Sequence, residues 1–222
     1  MSWNLNKDKI INSYQNQYKK FGIDSRSLFF PGRKQNVRFN VIKEIGIVPS
    51  DTILDIGCGF GDLLIFLKES INYTGKYTGI DITPEFIEAC KRLHPGEDFR
   101  ELDILQNVIS EKWDYVVLTG TLNIEIGESH IDFVKNMITK MFYMSKKGIS
   151  VDFISIYGDN RNEYIFRADP FEIFSFCRTL TKRICLRYDY LPYEFTLYLY
   201  TDYSITHDYI FTQYSFPEII KY

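Results

Sequence analysis

Between residues 52 and 156 the chain switches repeatedly from a short apolar run to an amphipathic segment and back, and the first switch passes through glycine. "TILDIG" (52–57) reads as a buried strand, and "GDLLIFLKES" after it reads as a helix. "KYTGID" (76–81) is the next strand. The helix "TPEFIEACKRLH" follows, with Thr83 as N-cap and Pro84 at its first position. "DFRELDI" (98–104), "WDYVVLTG" (113–120) and "GISVDFISI" (148–156) read as further strands, with the helix "HIDFVKNMITKMFYMS" before the last of them. Such alternation specifies a mostly parallel sheet with helices on both faces. The ending breaks the pattern. After a helix over 170–180, "RICLRYDY" and "EFTLYLYTDY" are two strands with a short Pro-containing link, so they must pair antiparallel.

Ahead of the alternation, Ile10, Ile11, Tyr14, Tyr18 and Phe21 fall at helical spacing, which predicts an amphipathic helix over 8–21. "GIDSRSLFFPGRK" reads as a loop turning at Pro31-Gly32. "QNVRFNVIKEIG" is helical again, and Gly46 ends it. With 222 residues and 45% apolar content, the chain is expected to form a single domain over 1–222. Residues 1–40 form a helical arm or lid, and 201–222 form a C-terminal extension. That arm holds eight Lys and Arg against two Asp, although the whole chain has a net charge of −3. Two readings fit: a basic arm docked on an acidic body, or an arm that helps hold an anionic ligand. The net charge argues against a nucleic-acid partner. The four cysteines have no CxxC spacing, so no metal is expected. No signal peptide or membrane span is apparent, which leads to a cytoplasmic reading with no membrane partner.

"LDIGCGFGD" (54–62) carries the chemistry. Its glycines read G-x-G-x-G, not the G-x-G-x-x-G of a dinucleotide loop, and no Gly-Lys-Ser/Thr ending marks a P-loop. Asp81 closes the next strand twenty residues past Gly61, where an acid suits two ribose hydroxyls. Asp103, at the end of the third strand, can accept from an adenine amine, and Ile82 and Ile104 offer apolar faces to the ring. Together these residues describe an adenosine site that needs no diphosphate.

On those residues the chain resembles the class I S-adenosylmethionine-dependent methyltransferases. "ILDIGCGFGD" is similar to the family's first motif, "YTGIDITPEFIEAC" to the second and "DFRELDIL" to the third. "WDYVVLTGTLNI" resembles the fourth strand and its loop, and the closing hairpin resembles the family's antiparallel seventh strand. The resemblance implies an α/β, Rossmann-like, seven-stranded, mostly parallel sheet with a C-terminal antiparallel hairpin. It implies S-adenosyl-L-methionine as cofactor and an EC 2.1.1 activity. It assigns Asp55 to organising the glycine loop near the cofactor's amino-acid end, and Gly57, Gly59 and Gly61 to close backbone approach. Asp81 then binds the ribose hydroxyls and Asp103 the adenine amine, with Ile82 and Ile104 against the ring, and Thr119 and Gly120 line the surroundings of the methyl group. With the N-terminal arm as a lid over that edge, Arg33 and Arg38 are candidates to meet the cofactor carboxylate or an anionic acceptor.

No acceptor signature is legible. The loop "TGTLNI" lacks the Asn/Asp-Pro-Pro-aromatic pattern that resembles adenine or glutamine N-methyltransferases. Asn123 is its one polar candidate for the reacting centre. Tyr190, Tyr193 and Asp189, from the tyrosine-rich end, are candidates for the mouth of the acceptor pocket. His94 reads as a surface residue, His130 as a helix start, and His207 lies in the tail. Cys58 reads as a small packed residue. Segments around 27–39 and 169–200 also resemble a bacterial small-molecule subgroup of the family. The expectation is methyl transfer to O, N or C of a small-molecule acceptor by in-line displacement. The alternatives are an RNA or protein side-chain acceptor, or a non-catalytic S-adenosylmethionine-binding partner protein. A nicotinamide dehydrogenase comes last.

Overall fold

The computed structural model describes residues 3–29, 34–127, 130–159, 162, 164–205 and 210–212. The turn at Pro31-Gly32, Arg33, His207 and most of the C-terminal extension lie outside the described residues. The chain runs α1 (Trp3–Phe21), α2 (Gln35–Lys43), β1 (Ile53–Ile56), α3 (Asp62–Ile71), β2 (Tyr77–Asp81), α4 (Pro84–Leu93), β3 (Asp98–Glu101) and β4 (Trp113–Leu118). It continues with α5 (His130–Met144), β5 (Ser145–Ile154), α6 (Pro170–Cys177), β6 (Ile184–Leu191) and β7 (Glu194–Tyr200). One seven-stranded sheet has the order β3-β2-β1-β4-β5-β7-β6. The first five strands pair parallel, and β7 is antiparallel to both β5 and β6. This is the expected architecture, hairpin included.

Strand periodicity sorts the core into two layers. Leu54 and Ile56 of β1, with Val116 and Leu118 of β4, pack with Val134, Ile138 and Met141 of α5. Ile53, Tyr115 and Val117 pack with Phe39 and Ile42 of α2 and with Leu63, Leu64 and Leu67 of α3. A central strand apolar on both faces is what a doubly covered parallel sheet requires.

The element edges differ from expectation where tertiary contacts override local pattern. β3 stops at Glu101, so Asp103 sits in a turn beyond it, where its Oδ1 accepts the Leu105 N–H at 2.9 Å. β5 begins at Ser145, directly after α5. α2 ends at Lys43, α6 ends at Cys177 and β7 ends at Tyr200, each shorter than the sequence pattern. Thr83 is the N-cap of α4, but its side chain makes no cap hydrogen bond, and Asp81 takes the Thr83 N–H instead. A 3-10 turn over Ser25–Leu28, capped by Asp24, was not expected.

The largest change is in α1, which starts at Trp3 instead of residue 8. Trp3, Lys7, Ile10 and Tyr14 share one helical face. Tyr14 meets Phe86 edge-on at 5.7 Å, and Tyr18 lies 6.0 Å from both Phe60 and Phe86. At the other end, Trp3 stacks on Phe133 at 4.5 Å and donates its indole N–H to Asp103 at 2.8 Å. Lys7 pairs with the same carboxylate at 3.2 Å. Aromatic packing therefore fastens the arm more than charge does. Among the described residues, Lys7 and Arg38 form the ion pairs that tie residues 1–40 to the body. We predict that Trp3→Ala leaves the global melting transition in place but speeds amide exchange through the first turns of α1 by about tenfold, since one stacked ring and one charge-assisted hydrogen bond are lost. Hydrogen-exchange mass spectrometry of the N-terminal peptides reads this directly.

Candidate functional site

The strand order reverses between β1 and β4, where β2 goes to one side and β5 to the other. Ligand crevices in such sheets open at that point, outside the carboxyl ends of the strands. A cavity lies there. Its floor is set in strand order: Asp103 past β3, Asp81 at the end of β2, Asp55 and Gly57 at β1, and Thr119 past β4. Gly59, Ile82, Ile104 and Arg38 line it too, so nine of the ten cofactor positions expected from sequence converge on one space. Trp3, Ile10 and Tyr14 of α1 form its outer wall.

The turn after β1 is possible only for glycine. Gly57 has φ +72°, and a Cβ there would stand 2.1 Å from Thr121 Oγ1. Gly59 has φ +54°, and a Cβ would press on Leu28 at 3.1 Å. Its N–H donates to Asp81 Oδ2 at 3.2 Å. Asp81 thus clamps the loop with one oxygen and the start of α4 with the other. Gly61 is the exception to the expected set. It does not line the cavity; it caps α3, and a Cβ there would strike His94 at 2.9 Å. His94 is accordingly half-buried, not a surface residue. Its Nε2 lies 2.8 Å from the Phe60 carbonyl, and its ring stacks on Phe99.

Electrostatics set the floor apart. Asp55 is buried; one carboxylate oxygen accepts from Tyr77 and the other, Oδ1, has no hydrogen-bond partner. Burial pushes its pKa up to about 7, against the opposing Tyr77 hydrogen bond. Burial also raises Asp81 to about 6, with the Thr83 and Gly59 N–H groups acting the other way. An orphaned carboxylate oxygen in a cavity wall calls for a donor from a ligand, ideally a cationic one.

At the β4 end, sequence reasoning missed the partners that hold the site. Arg38 is buried, and its guanidinium grips Glu194 with both Nε, at 2.6 Å, and Nη2. Burial works against its charge, but Glu194 and Asp152 outweigh burial and raise its pKa. Asp152 takes the Thr119 hydroxyl and the Gly120 N–H, the latter at 2.7 Å, which fixes the turn leaving β4. Burial raises the Asp152 pKa in spite of Arg38. Alternating apolar patterns around Asp152 and Glu194 hid these acids, although an acid inside an apolar strand is itself a signal.

Three acceptor-end candidates are placed elsewhere. Asn123 does not line the cavity; its carbonyl accepts the Phe166 N–H at 2.9 Å, and its Oδ1 is buried without a partner. Tyr190 also lies off the cavity and shares a hydrogen bond with Thr196 at 2.8 Å. Asp189 is exposed and paired with Arg187. His130 starts α5 as expected. It is buried, stacked on Phe166 at 3.6 Å, with Nε2 on the Leu122 carbonyl and Nδ1 accepting the Ile126 N–H. That pairing fits a neutral ring, in line with a pKa lowered by burial. Cys58 is packed, as expected.

Comparison with known proteins bears on the fold and on residues 54–137. Residues 54–137 match the family model described as a methyltransferase domain. A putative methyltransferase 235L of Invertebrate iridescent virus 6 is 27% identical over 110 residues, 48% of this chain and 41% of that one. The demethylmenaquinone methyltransferase of Oceanobacillus iheyensis is 22% identical over 147 residues, 64% of this chain and 59% of that one. The chain therefore spans about half the length of these curated relatives. The magnesium protoporphyrin IX methyltransferase of Synechocystis PCC 6803, solved with SAH, superposes with a TM-score of 0.60 at 15% identity, covering 87% of this chain and 98% of that one. The DhpI–SAH complex gives 0.62 at 13%, covering 86% and 95%. At such identities the structural likeness is one of fold. The motifs matched over 54–137 and the fold over most of the chain are those of class I S-adenosylmethionine-dependent methyltransferases, which this chain resembles.

Proposed function

We propose that the protein transfers a methyl group from S-adenosylmethionine to a small-molecule acceptor. The observation that carries this reading is the single row of groups along the cavity floor: Asp103, Asp81, the positive-φ glycine backbone and the unpartnered Asp55 oxygen. The donor set fits the cofactor. Asp103 suits the adenine amine, Asp81 the ribose hydroxyls, Asp55 the ammonium, and Arg38 the carboxylate end. Bound there, S-adenosylmethionine supplies a methyl group on a sulfonium, whose departure as a neutral thioether needs alignment more than charge neutralisation. The chain's own work is to orient and to exclude water. Thr119 and Gly120, held by Asp152, fix the wall beside the reacting end, and α1 closes the space from outside. Beneath α1 that space is about 110 Å³, less than the roughly 300 Å³ at which small-molecule pockets begin. Trp3 and Lys7 of α1 already hold Asp103, so an adenine amine bound there would take their place. Structural neighbours that are porphyrin and plantazolicin methyltransferases, and a net charge of −3, favour a small acceptor over RNA. All four cysteines are free thiols, which suits a reducing, cytoplasmic setting.

Titration calorimetry with S-adenosylhomocysteine, followed by a metabolite panel scored for its acceptor-dependent release from S-adenosylmethionine, tests the proposal. Failure of both cofactor forms to bind would end it. Asp81→Asn should weaken binding by about 100-fold, because two hydrogen bonds to a charged acceptor become weaker neutral ones.

Proton linkage gives an independent check. Asp55 has its pKa raised in the folded protein, so the stability its neutral form contributes is full below the ordinary carboxylate range and lost as pH rises through about 7. A ligand ammonium favours the ionised form. Binding at pH 6 should thus release on the order of one proton from Asp55, and binding at pH 8 close to none. Calorimetry in buffers of different ionisation enthalpy reads the count, and Asp55→Asn should remove most of it. A buffer-independent enthalpy at pH 6 contradicts the assignment.

A further inference from the structure

Trp3 enters the cavity beside Ile82, Asp103 and Ile104, the residues proposed for the adenine ring. Its indole N–H donates to Asp103 Oδ2 at 2.8 Å, and Lys7 Nζ, one turn on, meets the same oxygen at 3.2 Å. A carboxylate oxygen has two acceptor positions, so Oδ2 is saturated from within the chain. Oδ1 takes the Leu105 N–H at 2.9 Å and holds the turn past β3. With these partners the Asp103 side chain is only 4% exposed.

The indole also matches the ligand in shape. Indole and adenine are both flat, fused five- and six-membered rings, and both donate an N–H from the ring edge. Trp3 lies on Phe133 with 4.5 Å between ring centres and 24° between planes, and Phe133 lines the same cavity. A stacked face and an edge donor on Asp103 are the contacts that an adenine would make there.

We infer that Trp3 is an internal occupant of the adenine position, so that the first turns of α1 and the cofactor compete for Asp103. The inference rests on the methyl-transfer reading for the identity of the competitor. Asn6 Nδ2 on the Ile126 carbonyl and Lys7 Nζ on Gln106 Oε1, both at 3.2 Å, complete the latch. The rest of α1 is fastened separately, by Tyr14 on Phe86, by Tyr18 on Phe60 and Phe86, and by Gln15 on the Glu85 carboxylate at 2.9 Å. The latch therefore opens without unseating the aromatic half of the helix. The contact is autoinhibitory: the observed affinity for the cofactor is the intrinsic one reduced by the fraction of molecules with the latch open. Lys7 deepens the inhibition, because a neutral adenine amine does not restore its ion pair. The same contact favours release of the demethylated cofactor, since Trp3 and Lys7 reclaim Asp103 as it departs.

Titration calorimetry of the full chain with S-adenosylhomocysteine tests this by the sign of the change. Trp3→Ala should bind about tenfold more tightly than the wild type, since a charge-assisted hydrogen bond no longer has to be displaced. Trp3→Phe keeps a ring on Phe133 without the donor and should fall between the two. Lys7→Gln should also tighten binding. A second readout follows the indole itself. The chain has two tryptophans, and Trp113 is buried with its N–H on Thr78. Saturating S-adenosylhomocysteine should shift the wild-type emission to longer wavelength and raise its quenching by acrylamide, and Trp3→Phe should abolish both changes. If Trp3 instead serves as a wall against the bound adenine, Trp3→Ala binds more weakly and the indole becomes better shielded. Either of those results, or equal affinity of Trp3→Ala and the wild type, overturns the inference. Absence of binding in the wild type and all three variants strikes the methyl-transfer reading instead.

Discussion

The chain has to turn from β1 into α3 in a space already occupied on two sides. Thr121 leans on Gly57 from the loop after β4, and Leu28 leans on Gly59 from the N-terminal arm. Both glycines adopt a left-handed conformation that costs a side-chain-bearing residue roughly 1–2 kcal/mol before any clash. The turn survives because Asp81 receives the Gly59 N–H and because α3 starts at once from Gly61. From this turn follow the exposed backbone over the cavity, the burial of Asp55 beneath it, and the seat on which the arm rests. Enlarging either glycine would disturb three elements that are far apart in sequence.

A second constraint balances charge at the opposite end. Arg38, Glu194 and Asp152 come from α2, β7 and β5, and all three are buried. A single cation between two acids in a low-dielectric interior is stable only while its hydrogen bonds are met, and removing one member of such a group costs about 3–5 kcal/mol. The cluster couples the N-terminal arm to the closing hairpin, and through Thr119 and Gly120 it shapes the wall of the cavity past β4. Its position at that wall explains why the hairpin matters to the site although no hairpin residue reaches the cavity.

Much of this was legible in order of residues. Asp81 and Asp103 could be placed at one sheet edge because each follows an apolar strand, although Asp103 lies in a turn past β3, and the glycine spacing does not match a diphosphate loop. The hairpin followed from link length alone. Other features had no local signature. Trp3 precedes the apolar spacing read for α1 and joins the helix because Phe133 and Asp103, a hundred or more residues away, give it a stack and an acceptor. Gly61 shares the motif's spacing with Gly57 and Gly59, yet its small size serves His94 and Phe99. Tyr190 and Asn123 were plausible by type and misplaced by topology, since neither faces the cavity.

The sequence by itself determined the layers of the fold and which acids and glycines stand at the carboxyl ends of the strands. These depend on periodicities of two and 3.6 residues and on residue types at strand ends, which act over a few neighbours. Tertiary structure alone decided which acid holds Arg38, what covers the cavity, and that Trp3 stands on Asp103 inside it. Those outcomes depend on which distant segments arrive at the same sheet edge. Strand order sets that arrival, and no stretch of neighbouring residues encodes it.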